Sequence, residues 1–147
     1  MGVNDVFSKI GGLFGLPQAV PAGRAKGLVL IADDDASLRN VMCRALTRAG
    51  YEALQAEDGE RTVQVCREHR PDIVLLDIYM PKKNGIKVLE ELAKELPGTG
   101  FLVLTGNEDE ETARTCLKMG AFDYIPKPVD HAVLVGIIAK HLAKKAG

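Results

Sequence analysis

From Gly27 to the C-terminus the chain alternates five short apolar runs with five stretches of helical periodicity. The runs are "GLVLIA", "YEALQA", "DIVLLD", "GFLVLT" and "AFDYIP". Between them lie "ASLRNVMCRALTRAG", "DGERTVQVCREHRP", "NGIKVLEELAKELPG" and "NEDEETARTCLKMG", and "DHAVLVGIIAKHLAKK" closes the series. In the first helical stretch Leu38, Val41, Met42, Ala45 and Leu46 recur at steps of three and four, the spacing of one helix face. Gly50, Gly98 and Gly120 stand where helices should stop. Strands that alternate with helices of this length form βαβ units, and those units build a parallel sheet.

The five runs are not equally apolar. "LVLI", "IVLL" and "FLVL" are nearly continuous, as strands covered on both faces must be. "YEALQA" and "FDYI" mix polar with apolar residues, which suits the edges of a sheet. The first, third and fourth strands are therefore expected at the centre. The order 2-1-3-4-5 satisfies this simply and gives a flavodoxin-like, doubly wound (βα)5 fold. In that order the winding reverses between strands 1 and 3, and a crevice opens at their C-terminal ends.

With 147 residues the chain has room for one domain and a tail. The net charge of −1, with acids and bases interleaved, argues against direct nucleic-acid binding, which calls for a basic patch or stripe. Cys43, Cys66 and Cys116 are odd in number, widely spaced and form no CxxC, so neither a disulfide framework nor a zinc site is expected. Reduced thiols in the core, no run long enough to span a membrane and no secretory signal together suggest a cytoplasmic protein. Residues 1–26 read as an N-terminal extension ending in the flexible linker "VPAGRAKG". Within it Val3, Val6, Phe7, Ile10, Leu13 and Phe14 fall near helical spacing, although Gly11 and Gly12 weaken any helix. The segment is either a frayed extension or a short amphipathic docking helix. "MGVNDV" lacks the Ser or Thr of an N-myristoylation signal.

The chemistry collects at the strand ends. Strand 1 runs into Asp33, Asp34 and Asp35; strand 3 ends in Asp77, strand 4 in Thr105 and strand 5 in Lys127. In the 2-1-3-4-5 order these residues converge on the crevice. Carboxylates brought that close force one another to protonate unless a cation intervenes. Mg²⁺ suits the case, because it takes one or two protein carboxylates, keeps waters and leaves positions for phosphate oxygens. Asp35 is expected outside the cluster, where it begins the first helix and suits its cap and dipole.

In "ADDD", "LLDIYMPKKNG", "LTG" and "DYIPKP", in this order and at these separations, the region from 27 to 147 resembles a response-regulator receiver domain of two-component signalling. The resemblance implies that Asp77 is the phosphoacceptor, a carboxylate nucleophile that forms an acyl phosphate. It implies Asp34, Asp77 and the backbone carbonyl of Tyr79 as Mg²⁺ ligands, with Asp33 acting through a bound water. Thr105 and Lys127 would each meet a phosphoryl oxygen, so that catalysis is positioning and charge neutralisation. Met80 and Pro81 would shape the loop after the acceptor, Gly85 would permit a turn before the third helix, and the Lys127–Pro128 bond would be cis.

The resemblance also implies a switch. Phosphorylation would draw Thr105 toward the phosphoryl group and let Tyr124 turn inward, altering the face made by helix 4, strand 5 and helix 5. A histidine kinase or phosphotransfer protein would supply the phosphoryl group, and a target protein would read that face or receive the group in a phosphorelay. The protein would then be a phosphoacceptor regulator rather than an enzyme, able to promote its own phosphorylation and dephosphorylation. Only "KKAG" follows the final helical pattern, which leads us to expect a stand-alone receiver. Tyr79 and Asn107 occupy places where a small amide and an acid often sit, and both should border the path of attacking water. Alternatives are a Mg²⁺-dependent aspartyl-phosphate phosphohydrolase, a receiver-shaped module that never meets phosphate, and an FMN-binding flavodoxin-like protein. The first is disfavoured because Tyr79 stands where such enzymes place a second Asp. The intact Asp–Thr–Lys set disfavours the second, and repulsion between the acids and the cofactor phosphate disfavours the third.

Overall fold

The computed structural model describes residues 25–106 and 110–146. The expectations for residues 1–24 and for Asn107 lie outside them. Ten elements alternate in chain order: β1 (Leu28–Ala32), α1 (Ala36–Arg48), β2 (Glu52–Ala56), α2 (Gly59–His69), β3 (Ile73–Asp77), α3 (Gly85–Leu92), β4 (Gly100–Thr105), α4 (Glu110–Lys118), β5 (Asp123–Pro126) and α5 (His131–Ala146). The strands form one parallel sheet in the order β2-β1-β3-β4-β5, as the apolar patterning implies. One register row makes the reason visible. Ile31, Leu75 and Leu102 occupy its centre, and the polar Gln55 and Asp123 occupy its two edges.

Alternate side chains along each strand enter opposite cores. Leu30, Val74, Leu76, Phe101 and Val103 pack with the apolar faces of α2, α3 and α4. Val29, Ile31, Ile73, Leu75 and Leu104 pack with Met42 and Leu46 of α1 and with Leu134 and Ile138 of α5. The three cysteines are free and buried. Burial pushes the Cys43 and Cys66 thiols up to about 12, which makes them inert filler as expected. Among the described residues no helix is long and apolar enough to cross a membrane.

Three details differ from the sequence reading. In α1 the buried residues are Met42, Cys43 and Leu46, while Val41 is 43% exposed. Val41 falls a step of the helix before Met42 and turns away from that arc. α3 ends at Leu92 rather than continuing through "AKELPG". Pro97 has no N–H to give the carbonyl of Ala93, so the last helix-type bond runs from Leu96 N–H to Leu92 O at 2.8 Å, and a tighter turn follows in which Thr99 N–H donates to Leu96 O at 3.0 Å. Finally, Lys26 belongs to the packed unit, since its N–H donates to Gly50 O at 2.8 Å. Gly50 and Gly120, at φ of 102° and 118°, take the left-handed region that ends α1 and α4.

Candidate functional site

The site lies at the C-terminal end of the sheet. Asp33 directly follows β1, and its N–H donates to Ala56 O at 3.1 Å, which extends the pairing with β2 and fixes the backbone. Its side chain is fully buried, and Oδ1 accepts from Asp35 N at 2.9 Å. Asp34 is exposed beside it. Asp35 caps α1 by accepting from Leu38 N at 3.2 Å, the role expected of it. Asp77 is the last residue of β3 and is 6% exposed. Its Oδ1 accepts from Tyr79 N at 3.3 Å. Thr105 is buried at the end of β4, and its carbonyl accepts from Lys127 N at 2.7 Å. That bond carries the β4–β5 pairing onward and points Lys127 across the crevice. The Lys127–Pro128 peptide is cis.

Lys127 Nζ lies 2.8 Å from Asp33 Oδ2 and 3.4 Å from Asp77 Oδ2. One carboxylate oxygen from each of Asp33, Asp34 and Asp77 lies within 4.8 Å of the others. Burial and the charge of Asp33 push the Asp77 carboxyl above its usual range, against the opposing pull of Lys127 and the Tyr79 N–H. Burial alone would lower Lys127, but contact with Asp33 and the charges of Asp77 and Asp33 outweigh it and raise the ammonium. Asp33 Oδ2, although beside that ammonium, is buried without a hydrogen bond of good geometry.

One ammonium thus faces two buried carboxylates, with a third, exposed one beside them. The oxygen-only donor set and the crowding of like charge fit a hard divalent cation, which would relieve that crowding.

Tyr124 is half-buried on β5, in register with Val103 and packed against the core under α2, α3 and α4. The Tyr79 side chain is 61% exposed. The structure therefore brings Asp33, Asp34, Asp77 and Lys127 together, with Thr105 on the adjoining strand end. Gly85 departs from its expected role. Its N–H donates to Ile78 O at 2.8 Å, and a Cβ there would lie 2.7 Å from Asp77 O and 2.9 Å from the Ile78 Cα. It is glycine because α3 starts against the backbone of Asp77 and Ile78, not because a turn requires it. Met80 is buried in the core and anchors the same loop. Arg39 is a supporting residue that the sequence analysis missed. Its Nη1 donates to Asp33 O at 2.7 Å and its Nε to Gln55 Oε1 at 2.9 Å, which ties the acidic loop to β2. Its position one turn into α1 is the only signal the sequence carries for this.

Comparisons with known proteins agree with this geometry. A family model described as the response regulator receiver domain matches residues 29–139. The chain is 32% identical over 118 residues to the DNA-binding transcriptional regulator NtrC of Escherichia coli, covering 80% of this chain and 25% of that protein. It is 35% identical over 116 residues to NtrC of Rhizobium meliloti, covering 79% and 24%. The chain thus spans about a quarter of the length of these relatives. Among solved structures, the response regulator receiver domain protein of Clostridium thermocellum superposes with a TM-score of 0.77 at 30% identity, covering 81% of this chain and 96% of that one. The receiver domain of Francisella response regulator 1452 gives 0.75 at 27% identity, covering 83% and 100%. The chain belongs to the response regulator receiver domain family, the phosphoacceptor domains of two-component signalling.

Proposed function

We propose that Asp77 accepts a phosphoryl group in a Mg²⁺-dependent transfer from the phosphohistidine of a histidine kinase or phosphotransfer protein. The observation that carries this reading is the meeting of Asp33, Asp34 and Asp77 oxygens within 4.8 Å, with Lys127 bridging two of them. Asp34, Asp77 and the Tyr79 carbonyl would hold the ion, and Asp33 would act on it through a bound water. When bound, Mg²⁺ supplies positive charge to the crowded carboxylates and to phosphoryl oxygens. An Asp77 carboxylate oxygen attacks phosphorus, the bond from phosphorus to the donor's imidazole nitrogen breaks, and the imidazole leaves with the electron pair. Lys127 exchanges its contact with Asp77 for a phosphoryl oxygen, and the Thr105 hydroxyl donates to another. Placement and charge neutralisation do the chemistry.

The added charge at the end of β3 then biases two packings of Thr105 and Tyr124, and the α4–β5–α5 face presents the outcome to a target protein or a relay partner. Protein surfaces, rather than nucleic acid, are what this domain reads directly, and the cytoplasm is where such partners occur. The domain from residue 27 onward carries this activity without residues 1–26. Tyr79 stands beside the in-line approach of water to phosphorus, and the acyl phosphate is consequently long-lived.

Intact-mass measurement after incubation with Mg²⁺ and acetyl phosphate tests the assignment. Wild type gains one phosphoryl group and Asp77→Asn gains none. Equal labelling of the two proteins contradicts it. The decay of the phosphoprotein after donor removal tests the role of Tyr79. Tyr79→Asn hastens the decay roughly tenfold, equivalent to about 1.4 kcal/mol of barrier, and an unchanged rate removes that role.

A further inference from the structure

The first turn of α2 lies against the loop that follows Asp77. Asp58 is 6% exposed and caps α2, its Oδ1 accepting from Arg61 N at 2.8 Å. Thr62 Oγ1 donates to Asp58 O at 2.7 Å, which locks the cap. The other carboxylate oxygen faces Lys82 Nζ at 3.6 Å, and Lys82 has a left-handed φ of 68°. Gly59 N makes a long bond of 3.4 Å to Pro81 O. A Cβ on Gly59 would lie 1.7 Å from Lys83 O and 2.5 Å from the Lys83 carbonyl carbon. No side chain fits between the helix and that backbone. Gly85 meets the same loop from its other end, against Asp77 O and the Ile78 Cα.

Residues 79–83 therefore run between two glycine contacts made by two different helices. We infer that Asp58 and Gly59 are positioning residues, which seat this loop so that the Tyr79 carbonyl faces the ion beside Asp77. The inference rests on the metal reading above. A loop with no regular structure of its own holds a carbonyl in place only if something rigid supports it, and the capped start of α2 is that support. Replacing Gly59 by alanine moves the helix or the loop. The loop is the softer of the two, and the carbonyl moves with it.

Calorimetric titration of the full chain with Mg²⁺ provides the test, with melting temperature measured on the same samples. Gly59→Ala weakens Mg²⁺ binding about tenfold, the scale typical of supporting residues around a metal. Asp58→Asn keeps a capping side chain but loses the charge that faces Lys82, and it weakens binding a few-fold with little change in melting. Gly120→Ala serves as the stability control, because its strained φ lies at the far end of the sheet. It lowers the melting temperature and leaves Mg²⁺ affinity at the wild-type value. A Gly59→Ala protein that binds as wild type does overturns the inference, as does equal weakening by Gly120→Ala. If Gly59→Ala fails to fold, wild-type affinity in Asp58→Asn overturns it. A wild type that binds no Mg²⁺ overturns the metal reading and this inference together, whereas normal binding in the wild type and in all the variants overturns this inference alone.

Discussion

β3 carries an aspartate at each end, and the two are treated in opposite ways. Asp72, just before the strand, is fully engaged. Its Oδ2 accepts from Leu28 N at 2.8 Å, its N–H donates to Leu28 O at 2.8 Å, and its carbonyl accepts from Gly100 N at 2.8 Å. Around it Thr99 Oγ1 donates to Pro71 O, and the rings of Phe122 and His141 stack with centroids 3.7 Å apart. Asp77, at the other end, faces a second buried carboxylate, shares one ammonium with it and sits above its usual pKa range. One end of the strand uses a carboxylate to tie neighbouring strands together. The other end leaves a conflict of charge that folding alone does not resolve. Proteins place such conflicts where a ligand is to bind.

Substitutions at the two ends should therefore separate stability from function. Lys127→Ala has the largest effect, since it leaves Asp33 and Asp77 without their counter-ion. We expect a loss of about 2 kcal/mol in urea unfolding without metal, less than for a fully buried pair because Lys127 is partly exposed, together with a sharp fall in the rate of phosphorylation. Asp72→Ala strands the Leu28 N–H and costs about 1 kcal/mol, with an unchanged phosphorylation rate. Slowed labelling in Asp72→Ala would blur the distinction between the ends.

The pH dependence sharpens it further. The folded Asp77 carboxyl holds its proton above the usual range, so the folded state binds that proton more tightly than the unfolded chain. Its destabilisation is absent below the ordinary carboxylate pKa and develops as pH rises through that value to the raised one. Without metal, wild type should thus lose stability relative to Asp77→Asn across that window, and parallel pH profiles would show that Asp77 is not strained. The smallest effect is expected far from both ends. The pair of Arg67 with Glu95 on the α2–α3 surface is exposed, and Arg67→Ala should leave melting and labelling unchanged.

The strand order could be read from the sequence because burial on both faces leaves a continuous apolar run, as in β1, β3 and β4, while Gln55 and Asp123 betray the edges. The acidic cluster could be read because residues that end parallel neighbouring strands must meet. What the sequence concealed depends on contacts between distant segments. Gly59 looks like an ordinary residue after a capping Asp, and only the approach of Lys83 from the next βα unit makes its missing side chain essential. The same holds for Gly85, whose constraint is the backbone of Asp77. In α1 the three- and four-residue steps named Val41 where Cys43 is buried, because a broad apolar stripe does not reveal where its centre lies. In α3 the good helix formers of "AKEL" outweighed the signal of Pro97.

The account stands most directly on thermal melting of wild type and Asp77→Asn at neutral pH, each with a chelator and with Mg²⁺. With the chelator, Asp77→Asn should melt a few degrees above wild type, because it removes one of two opposed buried charges. Mg²⁺ should raise the wild-type melting temperature and have far less effect on the variant. A variant that melts below wild type in chelator, and that gains as much as wild type from Mg²⁺, would contradict the claim that this end of the sheet is built around a cation beside Asp77.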